Sequence, residues 1–271
     1  MKTPSISILG AGWLGLPLGS RLHEQGYQVK GSTTRAERVS LLQENGLEAY
    51  QLKADDQLQG DGWTDFLRSD VLFLNIPPGR RRPDVANAFP RQVRQIVETA
   101  KGVGVGKVMF VSSTSVYASE GQLAKEEDVL RPETASGIAL KECESYLRNE
   151  ASLEVLILRM AGLVGGDRKA GRFFAGRKDI PGGASPVNMV HRDDCIEIIC
   201  RLLQGDQWGE VFNVCADEHP SRADFYKAQA TKDGFEPPTF LPDQKAHKIV
   251  SNEKLKRFLS YQYQWPDPMH F

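Results

Sequence analysis

Three glycines near the start of the chain constrain its fold more than any other feature. They stand at positions 10, 12 and 15, behind the apolar run 6–9 and ahead of the apolar helical repeat 16–22. The first glycine of such a set permits a tight turn, the second lets backbone N–H groups approach a phosphate, and the third lets helix pack on strand. Because a helix N-terminus attracts anions, this strand–turn–helix predicts a pyrophosphate-binding site.

Short apolar runs and helical repeats alternate along the next part of the chain. We predict strands at residues 27–33, 47–52, 71–76, 107–111 and 155–158, and helices at 89–100 and 135–149. Polar alternation places 47–52 near a sheet edge, whereas the continuous run 71–76 is typical of a parallel strand covered on both faces. The pattern predicts an α/β fold, a doubly wound parallel Rossmann sheet with right-handed crossovers.

The rhythm changes in the second half of the chain. Glycines punctuate a basic loop around residues 169–186, and no βαβ repeat follows residue 218. We expect a helix at 193–203 and a strand at 211–214 between these two segments. The predicted nucleotide-binding domain is therefore 1–168 completed by 187–217, while 169–186 and 218–271 form a small C-terminal cap on the substrate side.

Composition excludes several classes of partner. Lys plus Arg number 34 against 35 Asp plus Glu, a net charge of -1, which argues against nucleic acid as a partner. No apolar run approaches the roughly 20 residues that span a bilayer, and no signal-peptide core precedes the first strand. The four cysteines form no C-x-x-C pair and lie in apolar segments. We therefore expect buried reduced thiols, no metal site and a cytoplasmic location.

The ordered segments resemble the extended short-chain dehydrogenase/reductase superfamily of NAD(P)-dependent nucleoside-sugar epimerases and dehydratases. The resemblance covers nearly the whole chain. It depends on the glycine set, the block 111–117 (VSSTSVY), Leu158 with Arg159, the block 188–194 (NMVHRDD), and the segments 211–214 and 251–255. It implies that Ser113 is the serine that hydrogen-bonds the reacting oxygen. The alternative is that 112–114 only satisfy loop backbone groups.

The resemblance also implies a tyrosine and a lysine four residues apart on one helix, where the ammonium lowers the pKa of the phenol. In this chain one alignment of the helix puts Ser136 and Leu140 at those positions, and the other puts Gly137 and Lys141 there. None of the seven tyrosines has a lysine four residues later. The chain therefore resembles an atypical branch of the superfamily. The catalytic candidates are Ser113, Ser136 and Tyr117, and the alternative for Tyr117 is packing under the substrate loop.

The loop after the second predicted strand bears on the choice of cofactor. An NAD site usually carries Asp or Glu about 20 residues beyond the glycines. Residues 27–36 contain no carboxylate, and Ser32, Thr33, Thr34 and Arg35 stand there instead. We expect NADP to be preferred and NAD to be possible, unless Arg35 is merely solvated. The expected cofactor-binding residues are Gly10, Gly12, Trp13, Leu14, Gly15, Ser32, Thr33, Arg35, Asn75, Ile76, Pro77 and Ser112.

Two basic loops follow predicted strands, at 79–82 and 167–172. Arginines at such loops suit an anionic small molecule, although solvated loop charges are the alternative. The expected substrate-binding residues are Arg80, Arg168, Arg172 and Asn188. His191 and Lys141 are further proton-transfer candidates. The alternative for His191 is that it only lies beside Asp193 and Asp194, which are expected to cap the next helix. The alternative for Lys141 is that it is a solvated lysine on a helix surface.

The leading hypothesis is an NAD(P)-dependent oxidoreductase or epimerase-like enzyme for a small, anionic or sugar-nucleotide substrate. The resemblance also raises the possibility of a homodimer. The alternative hypothesis is a non-catalytic sensor of NADP(H), which the missing Tyr–Lys pair favours. A sensor must bind the oxidised and reduced cofactor with different affinities.

Overall fold

The computed structural model describes residues 4–55, 57–79 and 84–271. In this part of the chain thirteen strands are assigned: β1 Ser5–Leu9, β2 Gln28–Thr33, β3 Glu48–Gln51, β4 Lys53–Ala54, β5 Leu58–Gln59, β6 Val71–Leu74, β7 Lys107–Ser113, β8 Leu123–Ala124, β9 Glu154–Met160, β10 Gly162–Val164, β11 Met189–His191, β12 Val211–Val214 and β13 Ile249–Val250. The eight α-helices of the same part are α1 Gly15–Glu24, α2 Val39–Glu44, α3 Trp63–Leu67, α4 Val85–Gly102, α5 Ala135–Arg148, α6 Arg192–Gln204, α7 Arg222–Lys232 and α8 Glu253–Leu259.

Seven strands form the central sheet in the order β12-β9-β7-β6-β1-β2-β3. β1 pairs in parallel with β2 and β6, β6 with β7, and β2 with β3. The order reverses at β1, as in a doubly wound sheet, so the predicted fold class is confirmed. β3 lies at the edge, as its polar alternation predicts, and all four residues of β6 are buried.

The chain divides into two compact units. The first comprises the described residues of Met1–Val116, Arg131–Leu158 and Leu203–Val211, and the second comprises Tyr117–Leu130, Arg159–Leu202 and Phe212–Phe271. The predicted division is functional and stays a prediction. The predicted nucleotide-binding domain differs from the first unit because it includes most of residues 159–202 and also residues 212–217. The sequence indicates where helices and strands occur, but it does not indicate which hydrophobic core each of them joins.

The core of the first unit explains why its strands read as apolar runs. Ile8, Phe73 and Phe110, from three adjacent strands, are fully buried, and Leu18 of α1 and Val93 of α4 are fully buried with them. Each large aliphatic or aromatic side chain buried this way contributes about 1.5–3 kcal/mol. The sheet therefore forms a rigid support for the loops that follow its strands.

Three further expectations concern the described residues. All four cysteines are buried free thiols, as predicted. None of the described helices is both long and apolar enough to cross a bilayer. Within the described residues no group of three or more His, Cys, Asp or Glu side chains is arranged to hold a metal ion.

Candidate functional site

The glycine turn between β1 and α1 is held by the neighbouring strands. The N–H of Gly10 donates to Ser32 Oγ at 3.0 Å, and the N–H of Ala11 donates to the carbonyl of Ser32 at 2.8 Å. On the other side, Asn75 Nδ2 donates to the carbonyl of Gly10 at 2.9 Å. Ser32 and Asn75, both predicted as cofactor-binding, thus use their side chains to fix the turn.

The three glycines have three different physical reasons. Gly10 has φ +99°, and a Cβ there would stand 2.7 Å from the carbonyl oxygen of Asn75. A Cβ at Gly15 would stand 2.5 Å from the carbonyl oxygen of Gly10, where α1 begins against the strand. At Gly12 no atom lies within 4 Å of the added Cβ, so that side of the turn is open. Two glycines serve the fold, and the third leaves space for something outside it.

A cavity of about 470 Å³ opens at this turn. Its lining includes seven of the predicted cofactor residues: Gly10, Gly12, Ser32, Thr33, Arg35, Ile76 and Pro77. The remaining predicted residues lie elsewhere. Leu14 is buried, Trp13 is partly buried, and Asn75 and Gly15 lie behind the turn. α1 carries no acidic residue in its first turn, so its N-terminal dipole is not opposed there by a carboxylate.

Seven further residues line the cavity and are not among the expected cofactor-binding residues. They are Leu9, Ala11, Thr34, Arg38, Leu52, Ala54 and Gln92. Of these, Arg38 carries charge, and its Nε is buried with no hydrogen-bond partner among the described residues. Arg38 could have been found by extending the search from Arg35 through the next turn. Gln92 gave no signal, because α4 is distant in sequence.

The end of β7 and the start of α5 place the predicted proton-transfer residues of the first unit. Ser112 is buried, and its Oγ donates to Glu144 at 2.5 Å, so its hydroxyl holds strand to helix instead of facing a cofactor. Ser113 Oγ accepts from the N–H of Ser115 at 3.2 Å and keeps its own proton to donate. Ser136 Oγ lies 3.4 Å from Thr134 Oγ1 at the N-terminus of α5.

The packing of α5 bears on the two ways of aligning this helix with that of the resembled superfamily. A Cβ on Gly137 would stand 2.5 Å from the carbonyl oxygen of Ser115, so a tyrosine cannot replace this glycine without backbone movement. Leu140 is only 3% exposed, on the same helix face as Glu144, whereas Lys141 is exposed. The close packing of Gly137 is consistent with the alignment that puts Ser136 and Leu140 at the two positions, and that alignment stays a prediction.

Tyr117 belongs to a buried network of the second unit. Its hydroxyl donates to Asn213 Oδ1 at 2.8 Å and accepts from Arg159 Nη1 at 2.6 Å. The backbone N–H of Asn213 in turn donates to Glu126 Oε1 at 2.8 Å. Burial raises the pKa of Tyr117 to about 12 despite the nearby guanidinium. Because the hydroxyl is hydrogen-bonded on both sides, the geometry favours packing, and a role for Tyr117 as a proton donor stays a prediction.

His191 also lies in the second unit, at the end of β11. Its ring packs against Trp265 and Phe271, with centroids 4.7 and 5.5 Å apart, and Nδ1 accepts from the N–H of Asp193 at 3.3 Å. Burial lowers the pKa of His191 below its usual value, against the opposing effect of the neighbouring carboxylates. A neutral imidazole enclosed by aromatic rings supports packing over catalysis.

Asp194 corrects the expectation that both aspartates cap α6. It is fully buried in the first turn of the helix, and its carboxylate accepts from Tyr261 Oη at 2.6 Å and from the N–H groups of Gln264 and Trp265 at 2.8 and 3.1 Å. Its role is to hold the segment 261–265 against the helix. Burial raises the pKa of Asp194, and these three hydrogen bonds oppose the rise.

The expected substrate-binding residues differ in their exposure and in their hydrogen-bond partners. Arg80 lies outside the described residues. Arg168 and Arg172 are exposed on loops of the second unit. Asn188 instead bonds the backbone of one segment, since its Nδ2 donates to the carbonyl of Lys248 and its Oδ1 accepts from the N–H of Val250, both at 2.9 Å. This pairing aligns β13, and a substrate-binding role for Asn188 stays a prediction.

Comparisons with known proteins agree with this geometry. A family model described as NAD(P)H-binding matches residues 10–205. Protein YeeZ of Escherichia coli strain K12 is 37% identical over 268 residues, 97% of each chain. A short-chain dehydrogenase/reductase superfamily protein from Agrobacterium tumefaciens, solved with bound NAD, superposes with a TM-score of 0.78 at 18% identity, covering 98% of this chain and 94% of that one. UDP-glucuronic acid 4-epimerase from Bacillus cereus, in complex with UDP-glucuronic acid and NAD, gives 0.78 at 18% identity, covering 98% and 96%.

Proposed function

The chain belongs to the NAD(P)H-binding family and has the fold of the short-chain dehydrogenases and epimerases, and from that premise we propose that it is an NAD(P)-dependent oxidoreductase or epimerase-like enzyme. Its substrate is a small molecule, anionic or a sugar nucleotide. The observation that carries the proposal is the open side of the glycine turn at Gly12, which faces a cavity of about 470 Å³. The turn fits the diphosphate of a dinucleotide, which needs close approach to backbone N–H groups.

The proposed cofactor is NADP, with NAD as the weaker ligand. Residues 27–36, which include β2 and the start of the following loop, contain no carboxylate. No acidic side chain there bonds the ribose hydroxyls or repels a phosphate on the ribose. Arg35 lies on the cavity lining with its guanidinium exposed, where it can meet such a phosphate. When bound, the nicotinamide supplies hydride transfer, and the protein is left to orient the substrate and handle a proton.

Ser113 is the residue that we propose for the proton-handling role. Its hydroxyl accepts from the N–H of Ser115, which orients the oxygen and leaves its hydrogen to bond a reacting oxygen. Ser136 stands at the position that the resembled enzymes give to tyrosine, and it is partly exposed. A serine holds its proton too tightly to act as a strong acid, so its contribution is a hydrogen bond and a route for water.

The anionic substrate is supported by exposed arginines of the second unit. Arg168 and Arg172 lie on the loops after β10, and Arg172 is in the short 3-10 helix Ala170–Phe173. Guanidinium groups bind phosphate and carboxylate in bidentate geometry. The solved epimerase that shares this fold is in complex with UDP-glucuronic acid, which carries both groups. A homodimer and a cytoplasmic location also belong to this proposal, and sedimentation equilibrium would test the first.

The test begins with protein purified without added cofactor, examined by native mass spectrometry. We expect retained NADP or NADPH, and NADPH consumption or isomerised product in assays with UDP-glucuronic acid and other sugar nucleotides. Ser113→Ala should slow turnover by about 100-fold and leave the NADPH dissociation constant unchanged. Ser40→Ala, at an exposed serine of α2, is the matched control. Equal rates for the two variants would refute the role of Ser113.

The second candidate function, a non-catalytic NADP(H) sensor, is favoured by the burial of Leu140. If Leu140 occupies the lysine position, its burial supports a helix that serves stability rather than proton transfer. A sensor predicts no turnover with any carbonyl or sugar nucleotide. It also predicts unequal dissociation constants for NADP and NADPH, together with a ligand-dependent change in oligomeric state or surface. Turnover by the wild type would exclude it.

A further inference from the structure

The polar end of the cavity contains hydroxyls that are already in use. Ser32 is 2% exposed, and its Oγ accepts from the N–H of Gly10. Thr33 Oγ1 accepts from the N–H of Arg35 at 3.2 Å. These two side chains shape the turn and the loop after β2. They are poorly placed to give a ligand its main polar contacts, and that task is left to the charged groups of the same lining.

The described lining holds two guanidinium groups and no carboxylate. Arg35 is exposed in the loop, in extended backbone conformation. Arg38 ends the 3-10 helix Ala36–Arg38, is only partly exposed, and has a buried Nε that no described atom bonds. A buried N–H without a partner is unfavourable, and a cavity-lining donor of this kind is normally satisfied by a ligand or by water. An anion is the partner that a guanidinium prefers.

We propose that Arg38 is the residue that determines cofactor specificity, by binding a phosphomonoester on the adenosine ribose through Nε and a terminal nitrogen. This inference rests on the proposed nucleotide site and adds the residue that selects between nucleotides. Arg35 contributes from the exposed side, where water and salt screen its charge. Selection between phosphorylated and unphosphorylated ribose therefore depends on the partly buried guanidinium, whose two-point geometry a lysine cannot reproduce.

Three variants test the assignment by calorimetry with NADPH, NADH and adenosine 2′,5′-bisphosphate. Arg38→Met keeps the apolar stem, and we expect it to weaken binding of NADPH and of the bisphosphate by about 30- to 100-fold while NADH binding stays within about twofold. Arg38→Lys keeps the charge and should recover only part of that loss. Arg35→Ala should weaken NADPH binding by about threefold or less, an effect that disappears at high salt.

Each result decides the matter. Equal losses for NADPH and NADH in Arg38→Met would make Arg38 structural and overturn the inference. So would a larger loss in Arg35→Ala than in Arg38→Met, or equal affinities of the wild type for NADPH and NADH. In these cases NADH still binds the wild type, so the proposed nucleotide site stands. Absence of binding by every nucleotide to the folded wild type would instead refute the site and the inference together.

Discussion

Two regions of the first unit, the glycine turn and the junction of β7 with α5, differ in what they keep of the resembled superfamily. The turn keeps all three glycines, and each has a physical reason in the structure. At the junction the resemblance implies a serine at 113 and a tyrosine and a lysine on α5, and one alignment of the helix puts Ser136 and Leu140 at the last two positions. We therefore treat cofactor binding and proton transfer as separate proposals, each with its own test.

The junction is well packed in spite of these replacements. The hydrogen bond between Ser112 and Glu144 joins strand to helix, and Gly137 packs against the backbone of Ser115. α5 begins with the side chain of Thr134 accepting from the N–H of Gly137. These contacts hold the start of α5 against β7, so the position of Ser136 is set by packing and not by a catalytic pair.

The largest expected effect concerns the turn. Gly12→Val should weaken NADPH binding by about 1000-fold, because the side chain fills the space that the diphosphate needs. The melting temperature of the apoprotein should barely change, since nothing lies within 4 Å of a Cβ there. Gly106→Val, equally open but outside the cavity lining, is the control for binding. If Gly12→Val binds NADPH as tightly as the wild type, the glycine turn is not the diphosphate-binding site, and the contrast with the junction fails.

The next effect concerns the junction. Leu140→Ala should destabilise the protein by about 2–4 kcal/mol, because it empties a packed site. Lys141→Ala, at the exposed neighbour, should change stability by less than about 0.5 kcal/mol. Urea unfolding followed by circular dichroism measures both. A larger loss in Lys141→Ala would contradict the burial of Leu140 and the exposure of Lys141 on α5.

A smaller effect separates packing from catalysis at Tyr117. Tyr117→Phe should cost about 1–2 kcal/mol of stability, because Arg159 and Asn213 both lose a buried partner. Turnover at 25 °C should be unchanged between pH 6 and 9, since a phenol with a pKa of about 12 stays protonated throughout. A variant that folds normally but loses activity would return Tyr117 to the list of proton donors.

The smallest effect is a pH dependence of stability. Burial lowers the pKa of His191 in the folded state, so the unfolded chain binds the proton more readily. Stability should then fall as the pH falls below about 6.5, by on the order of 1 kcal/mol per pH unit. Thermal melting of His191→Gln should show a shallower slope. Burial also lowers the pKa of His219, so it contributes in the same direction, and the slope should be shallower still in the variant that lacks both histidines.

Local patterns predicted the fold and the glycine turn well. The spans of β2, β6, β7, α5 and α6 lie within about two residues of the predictions, because burial on both faces and helical periodicity are visible in the sequence. α4 begins at Val85, earlier than the predicted start at 89, and Pro90 lies inside the helix.

Roles that depend on distant partners could not be predicted. Asp194 bonds atoms 67 to 71 residues away, and Asn188 bonds atoms 60 and 62 residues away. Tyr117 meets Asn213 across 96 residues. Nothing in the local sequence distinguishes such a buried polar anchor from a ligand-binding side chain, because both are polar residues beside an apolar strand. Arg38 was not predicted either, because a charged residue in a short helical turn usually faces solvent and gives no local sign of lining a cavity.

The central claim is that the glycine turn binds a pyridine dinucleotide while the junction lacks the usual proton-transfer pair. Isothermal titration of the apoprotein with oxidised and reduced NAD and NADP tests it most directly. We predict a binding heat that saturates at one site, with the highest affinity for the NADP forms and no binding in Gly12→Val. Absence of heat for all four nucleotides, with the protein folded by circular dichroism, would contradict it.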